Sequence, residues 1–174
     1  MVNVSWRPGC PVPFSSLRDL YVRYWGFDAK AHTGHLVVNK DAVSPLVRVL
    51  RRLYLVGYPV RQMRTVEAFR GSDERSMRND NTSAFNCRLV PGSTTWSQHA
   101  YGRAVDVNPL ENPEVVGSHV DPPNARRFAD RSLRSKGMIF HDGYVWRTFA
   151  LVGWRWGGDW HSLKDYQHFS ANGL

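Results

Sequence analysis

The stretch SPLVRVLRRLYLVG (Ser44–Gly57) constrains the fold more than any other part of the chain. Leu46, Val49, Leu50 and Leu53 recur at helical spacing, which gives one apolar stripe that must be buried. Ser44 is placed to cap the first turn, Pro45 suits the first helical position, and Gly57 ends the helix. Nothing else in the chain is as clearly helical. Leu17–Phe27 has strand composition with imperfect alternation, and His32–Asn39 is a better strand, β-branched before a polar stop. Pro59–Val66 also reads as a strand. In Gly102–Pro109, Ala104 and Asp106 alternate with Val105 and Val107, and Asn-Pro stops the run. Arg70–Asn81 and Glu111–Asn124 read as long polar loops, while Ala125–Gly137 and Gly143–Trp154 fit short helices. This order, without repeats or low-complexity tracts, predicts one α+β domain in which helices pack on a small antiparallel sheet. Residues 17–174 form that domain, and residues 1–16, rich in proline and glycine, form an extended lead-in.

The chain has 174 residues, 42% of them hydrophobic and 22% charged, which fits a single globular domain with its own core. No apolar run approaches the ~20 residues of a membrane span, and the start, MVNVSWRPGC, lacks the basic-then-apolar pattern of a signal peptide. The formal charge is +8 and the pI about 9.9, with arginine far in excess of lysine. Such a balance calls for an anionic partner. The arginines are scattered from Arg7 to Arg155 with no block longer than a pair, and no nucleic-acid-binding motif accompanies them. Nucleic acid is therefore not expected, and anionic cell-wall polymers account for the charge equally well. The two cysteines, Cys10 and Cys87, cannot make a four-thiolate metal site and are not a C-x-x-C pair. Two buried thiols or one long-range bridge remain open on the count alone; a bridge would favour an oxidising compartment.

Chemistry concentrates in two places. WRWGGDWHSLKDYQHF (Trp154–Phe169) crowds aromatics, glycines, acids and histidines together near the end of the chain, and SQHAYGRAVD (Ser97–Asp106) sets His99 seven residues before Asp106. Alone, His99 reads as an ordinary polar residue and Asp106 as a strand-end turn former. With His168, however, they make two histidines and a carboxylate, the protein share of a catalytic zinc site. A carboxylate bound to the metal cannot also serve as base. Asp106 as ligand and Asp165, three residues before His168, as general base is the economical division. His161, beside Asp159, competes with His168 but reads as a rim residue. Asp159 reads as an acceptor for loop amides or, more sharply, as an orienter of His99 or His168. Trp154, Trp156 and Trp160 read as core and as wall of the site together.

SQHAYGRAVD resembles the S-x-H-x-x-G-x-A-x-D motif of the VanY-type D-alanyl-D-alanine carboxypeptidases and their L-alanyl-D-glutamate endopeptidase relatives. That wider group also includes lysostaphin and the Sonic hedgehog signalling domain. WGGDW followed by D-x-x-H-F resembles the closing motif of the endopeptidase branch, found in cell-wall hydrolases and phage endolysins. The resemblance implies a hedgehog-like peptidase fold and a Zn2+ cofactor held by His99, Asp106 and His168. It further implies Asp165 as base and Ser97 as a supporting residue near the metal. An arginine in a GYRS-like segment steadies the substrate carbonyl in that family; here AFRG points to Arg70, with Arg75 a competing candidate. The substrate implied is a peptidoglycan stem peptide, cut at D-Ala-D-Ala or L-Ala-D-Glu, by a monomer of bacterial or phage origin working outside the cytoplasm. The competing expectation is a domain of the same fold that binds zinc and has lost turnover.

Overall fold

The structure is a computed structural model that describes residues 4–174; Met1–Asn3 of the lead-in lie outside the described residues. Strands β1 (Leu17–Trp25) and β2 (Ala31–Asn39) pair as an antiparallel hairpin, Leu17 opposite Asn39 and Trp25 opposite Ala31. β1 is largely half-exposed, whereas Leu36, Val37 and Val38 of β2 are all buried. The two-residue period explains this. Leu36 and Val38 enter the main core, while Val37, on the opposite face, joins Val12, Leu17, Phe85 and Cys87 in a second cluster. Cys87 in that cluster is bonded to Cys10, a disulfide across 77 residues that ties the N-terminal segment to the body of the fold.

Helix α1 (Val43–Leu55) buries Leu46, Val49, Leu50 and Leu53, the stripe expected from the spacing. Its start differs from expectation. Ala42 occupies the cap position with no side-chain cap bond, so Ser44 already lies inside the first turn. A tight turn from Asn39, whose carbonyl accepts from the Ala42 amide at 2.9 Å, delivers the chain into the helix early. The chain leaves through Gly57 at φ +68°. Of the strand expected over 59–66, only β3 (Gln62–Met63) forms. The segment expected as a polar loop contains α2 (Asp73–Arg78), capped by Ser72 Oγ accepting from the Arg75 amide. β4 (Asn81–Thr82) then pairs with β3 in parallel, whereas the other pairs between named strands are antiparallel.

The remaining strands carry the functional segments. They are β5 (Ala104–Asp106), β6 (Glu114–Val116) and β7 (His119–Asp121), then β8 (Arg155–Trp156), β9 (Lys164–Asp165) and β10 (His168–Ser170). They form two three-stranded antiparallel sheets, ordered β5–β10–β8 and β7–β6–β9. The β6–β7 hairpin lies in the second expected loop, turning through Gly117 and Ser118 with Gly117 at φ +58°. Between residues 125 and 137 only a 3-10 turn ending at Ala129 forms, whereas α3 (Tyr144–Ala150) covers part of the other expected helix. The ring of Phe149 in α3 stacks on Phe169 of β10 at 3.8 Å between centroids, and both are fully buried. This contact fixes the strand that bears the site, and truncating Phe169 to Ala would cost about 3–5 kcal/mol. No described helix is long and apolar enough to cross a membrane. The architecture is a single α+β unit, as expected.

Candidate metal centre

His99 lies in a 3-10 turn (Gln98–Tyr101) that Ser97 caps, its Oγ accepting from the His99 amide at 3.3 Å. The turn ends at Gly102, φ +66°, where a Cβ would stand 2.5 Å from the Asn39 amide nitrogen. Only glycine allows the turn to close against β2. His99 Nδ1 is 2.6 Å from the Ala84 carbonyl. A carbonyl can only accept, so Nδ1 carries the proton and Nε2 is left with its lone pair, aimed at Asp106.

Asp106 ends β5 and is the register partner of His168 on β10. Its Oδ2 is 3.1 Å from His99 Nε2, its Oδ1 is 3.1 Å from His168 Nδ1, and the two ring nitrogens are 3.2 Å apart. The outer nitrogen of His168, Nε2, donates to the Leu174 main-chain oxygen at 3.0 Å. Each imidazole is thus pinned from outside and presents one nitrogen inward. All three side chains are buried, and one ligand atom from each lies within 4.8 Å of the others. Burial pushes the Asp106 carboxyl up, but the two imidazoles outweigh it and hold it well below the usual carboxylate range. His168 is raised by its bond to Asp106, against the opposing effect of burial. Two oriented histidines and one ionised carboxylate form a donor set that fits a borderline-soft divalent ion.

Asp165 stands apart from that triangle. It lies in β9, opposite Glu114 of β6, and both side chains line the same cleft. Its Oδ1 is buried without a hydrogen-bond partner among the described residues. Burial first, and the negative charge of Asp106 second, push its carboxyl up to about 8. Glu114 is raised as well, mainly by burial and then by Asp121 and Asp106. The glycines of WGGDW position this pair of segments. A Cβ on Gly157 would sit 2.7 Å from the Asp165 carbonyl oxygen, and one on Gly158 would enter the Trp156 ring at 2.4 Å. The double glycine lets the backbone lie directly against both.

The cleft over the cluster has a volume of about 200 Å³, with Arg88, Trp96, Glu114, Trp160 and Leu174 among its walls. Arg88 is half-buried and held by Asp73, Nη2 to Oδ2 at 2.7 Å. Arg70 is exposed at φ +57° beyond a 3-10 turn, and Arg75 is exposed on α2; neither lines the cleft. Arg88, Glu114 and Leu174 were not expected from sequence. The usable signal for Arg88 was its place directly after Cys87, whose disulfide anchors the strand-like segment next to His99. His161 is exposed, and Asp159 bonds neither loop amides nor the cluster's histidines. It accepts from His141 Nδ1 and Trp146 Nε1, each at 2.7 Å. Ser83 and Asn86 are buried supports: Ser83 exchanges backbone bonds with Asp106, and Asn86 reaches Asp73.

The fold and the site together define an α+β domain with a buried His–Asp–His cluster and a separate carboxyl beside it. Residues 91–171 match the model of a protein family described as D-alanyl-D-alanine carboxypeptidase, and that span contains His99, Asp106, Asp165 and His168. The resemblance seen in the two motifs is borne out over those residues. No curated protein and no solved structure matches the chain.

Proposed function

We propose that the chain is a zinc-dependent peptidase that hydrolyses an amide in peptidoglycan stem peptides, at D-Ala-D-Ala or L-Ala-D-Glu. The observation that carries this reading is the division of labour in one cleft. A closed His–Asp–His set sits beside a buried carboxyl, Asp165, one of whose oxygens has no hydrogen-bond partner among the described residues. His99, Asp106 and His168 would hold the ion, and zinc there supplies Lewis-acid activation of water and of the scissile carbonyl. A divalent cation in that cluster would offset the burial and the Asp106 charge that push the Asp165 carboxyl up, and so favour the ionised form that can accept a proton. Asp165 then takes the proton from the attacking water and returns it to the leaving amine. Arg88, on the cleft wall, faces the oxygen on which charge develops and donates N–H bonds to it. This is the task that the motif resemblance assigned to Arg70. Trp96 and Trp160 narrow the cleft and keep bulk water from the reacting atoms. The Cys10–Cys87 disulfide supports work in an oxidising compartment outside the cytoplasm.

The reading is tested by digesting purified peptidoglycan with wild type, Asp165→Asn and chelator-treated protein, and identifying the products by mass. New stem-peptide termini from wild type alone are expected, and their masses name the bond. Bound zinc with no cleavage by wild type would replace the enzyme with a binding module.

A further inference from the structure

A second cavity, about 500 Å³ and larger than the catalytic cleft, lies between α3, β8 and the Gly157–Asp159 turn. Its walls include Trp146, Trp154, Trp156, Trp160, Arg155 and Asp159. Trp154 and Trp156 are buried core residues, whereas Trp146 and Trp160 are partly exposed. Three of the four indole N–H groups are already committed. Trp146 donates to Asp159, Trp156 to the Tyr166 carbonyl and Trp160 to the Gly173 carbonyl. What the cavity offers a ligand is therefore chiefly rigid aromatic surface. Arg155 is exposed, and no carboxylate among the described residues stands within ion-pair distance of it. At Gly153 a Cβ would meet nothing within 4 Å, so that stretch of wall is open. Aromatic faces with a few placed polar groups, at this volume, have the character of a small-ligand site.

The position of the cavity narrows the ligand. Trp160 lines both this cavity and the catalytic cleft, and its ring is 5.5 Å from the His168 ring. A ligand here lies one indole away from the chemistry. Building on the peptidase reading above, we propose that this cavity is a subsite for the amino-sugar backbone to which the stem peptide is joined. A pyranose presents a face of weakly positive C–H groups, which suits the negative face of an indole, and its acetamido oxygens suit a free guanidinium. An extended peptide advances ~3.3 Å per residue. A sugar seated behind Trp160 therefore puts the first amides of the stem over the metal cluster, rather than those at its far end.

The test uses the whole chain and the β-1,4-linked N-acetylglucosamine tetramer, which carries no peptide. Titration of wild type is expected to give a saturable change in tryptophan emission. Trp146→Ala is expected to abolish it, and Arg155→Ala, an exposed change that leaves the core intact, to weaken it about tenfold for the loss of one charge-assisted bond. Cleavage of intact peptidoglycan then falls in both variants, while cleavage of a glycan-free stem peptide stays at the wild-type rate. A titration without saturation would overturn the subsite, as would equal losses on both substrates. Saturable sugar binding by a wild type that cleaves neither substrate would keep the subsite and remove the peptidase reading.

Discussion

Asp106 and His168 are direct partners across the β5–β10 ladder, Oδ1 to Nδ1 at 3.1 Å, with Phe169 beside them facing the core. A slip of one residue in that ladder would turn Phe169 towards the cleft and His168 into the apolar core. The stacking of Phe169 on Phe149 guards against it, so the same strand that builds the core also sets the donor geometry.

Because Asp106 alone compensates both inward-facing imidazole nitrogens, Asp106→Ala should reduce bound zinc from one equivalent to a small fraction after dialysis, read by elemental analysis. It should also destabilise the metal-free fold by about 3–5 kcal/mol, since a buried charged network loses its one anionic member. Retained stoichiometric zinc in this variant would remove Asp106 from the donor set.

Asp165→Asn keeps the shape of the side chain and removes its ability to hold a proton. Zinc content and unfolding midpoint should stay near wild type, and hydrolysis should fall about 10²–10⁴-fold. The pairing of those two readouts separates a base from a ligand. A ligand's loss would appear in the zinc content first.

Much of this was legible in the sequence, for identifiable reasons. His99, Asp106, Asp165 and His168 are set by short motifs whose glycines and cap residue build the local turns, and the structure brings all four into one place. The α1 stripe was legible because its apolar residues recur over several turns. Helix α2 was missed because it turns almost no apolar surface inwards; its cue was the cap Ser72 followed by Asp73 and Glu74, a start signal without a stripe. The β6–β7 hairpin was hidden by its brevity. Arg88 could not be found by spacing at all, since its place depends on the long-range disulfide at Cys87 and on Asp73 from a helix that the pattern did not show.

That arrangement gives a discriminating pair of variants. Arg88→Ala should lower kcat/KM about 10²-fold, with the loss mainly in kcat, as for removal of a donor that acts on developing charge. Arg70→Ala, at an exposed position outside the cleft, should change it by less than about twofold, within the range of neutral surface changes. The reverse outcome would assign the carbonyl-steadying task to Arg70.

Reducing the Cys10–Cys87 bond frees a 77-residue separation in the unfolded chain and unties Val12 from the cluster around Phe85. The paired Cys10→Ser, Cys87→Ser variant should lose about 2–4 kcal/mol in urea unfolding. Activity should fall as well, since Arg88 adjoins Cys87. Full stability in the variant would mean that the N-terminal segment is held by packing alone.

Away from the cleft, Glu111 and Asp80 are both buried and share the guanidinium of Arg61, at 3.7 and 3.4 Å. One Glu111 oxygen has no partner among the described residues. Burial, and then the charge of Asp80, push its carboxyl up to about 8 from an ordinary 4.5. Below pH 4.5 it is protonated in the folded and unfolded chains alike and costs nothing. As the pH rises the unfolded chain ionises first, so stability declines between about pH 4.5 and 8 and then levels off. Each unit of difference is worth about 1.4 kcal/mol, so the loss across that window is a few kcal/mol. Glu111→Gln keeps the side chain's shape and cannot ionise. Its urea-unfolding stability should therefore fall less than wild type's between pH 5 and 8 and exceed it at pH 8.5. Parallel stability curves for the two proteins would show that Glu111 ionises freely in the folded chain and that the buried pair carries no such penalty.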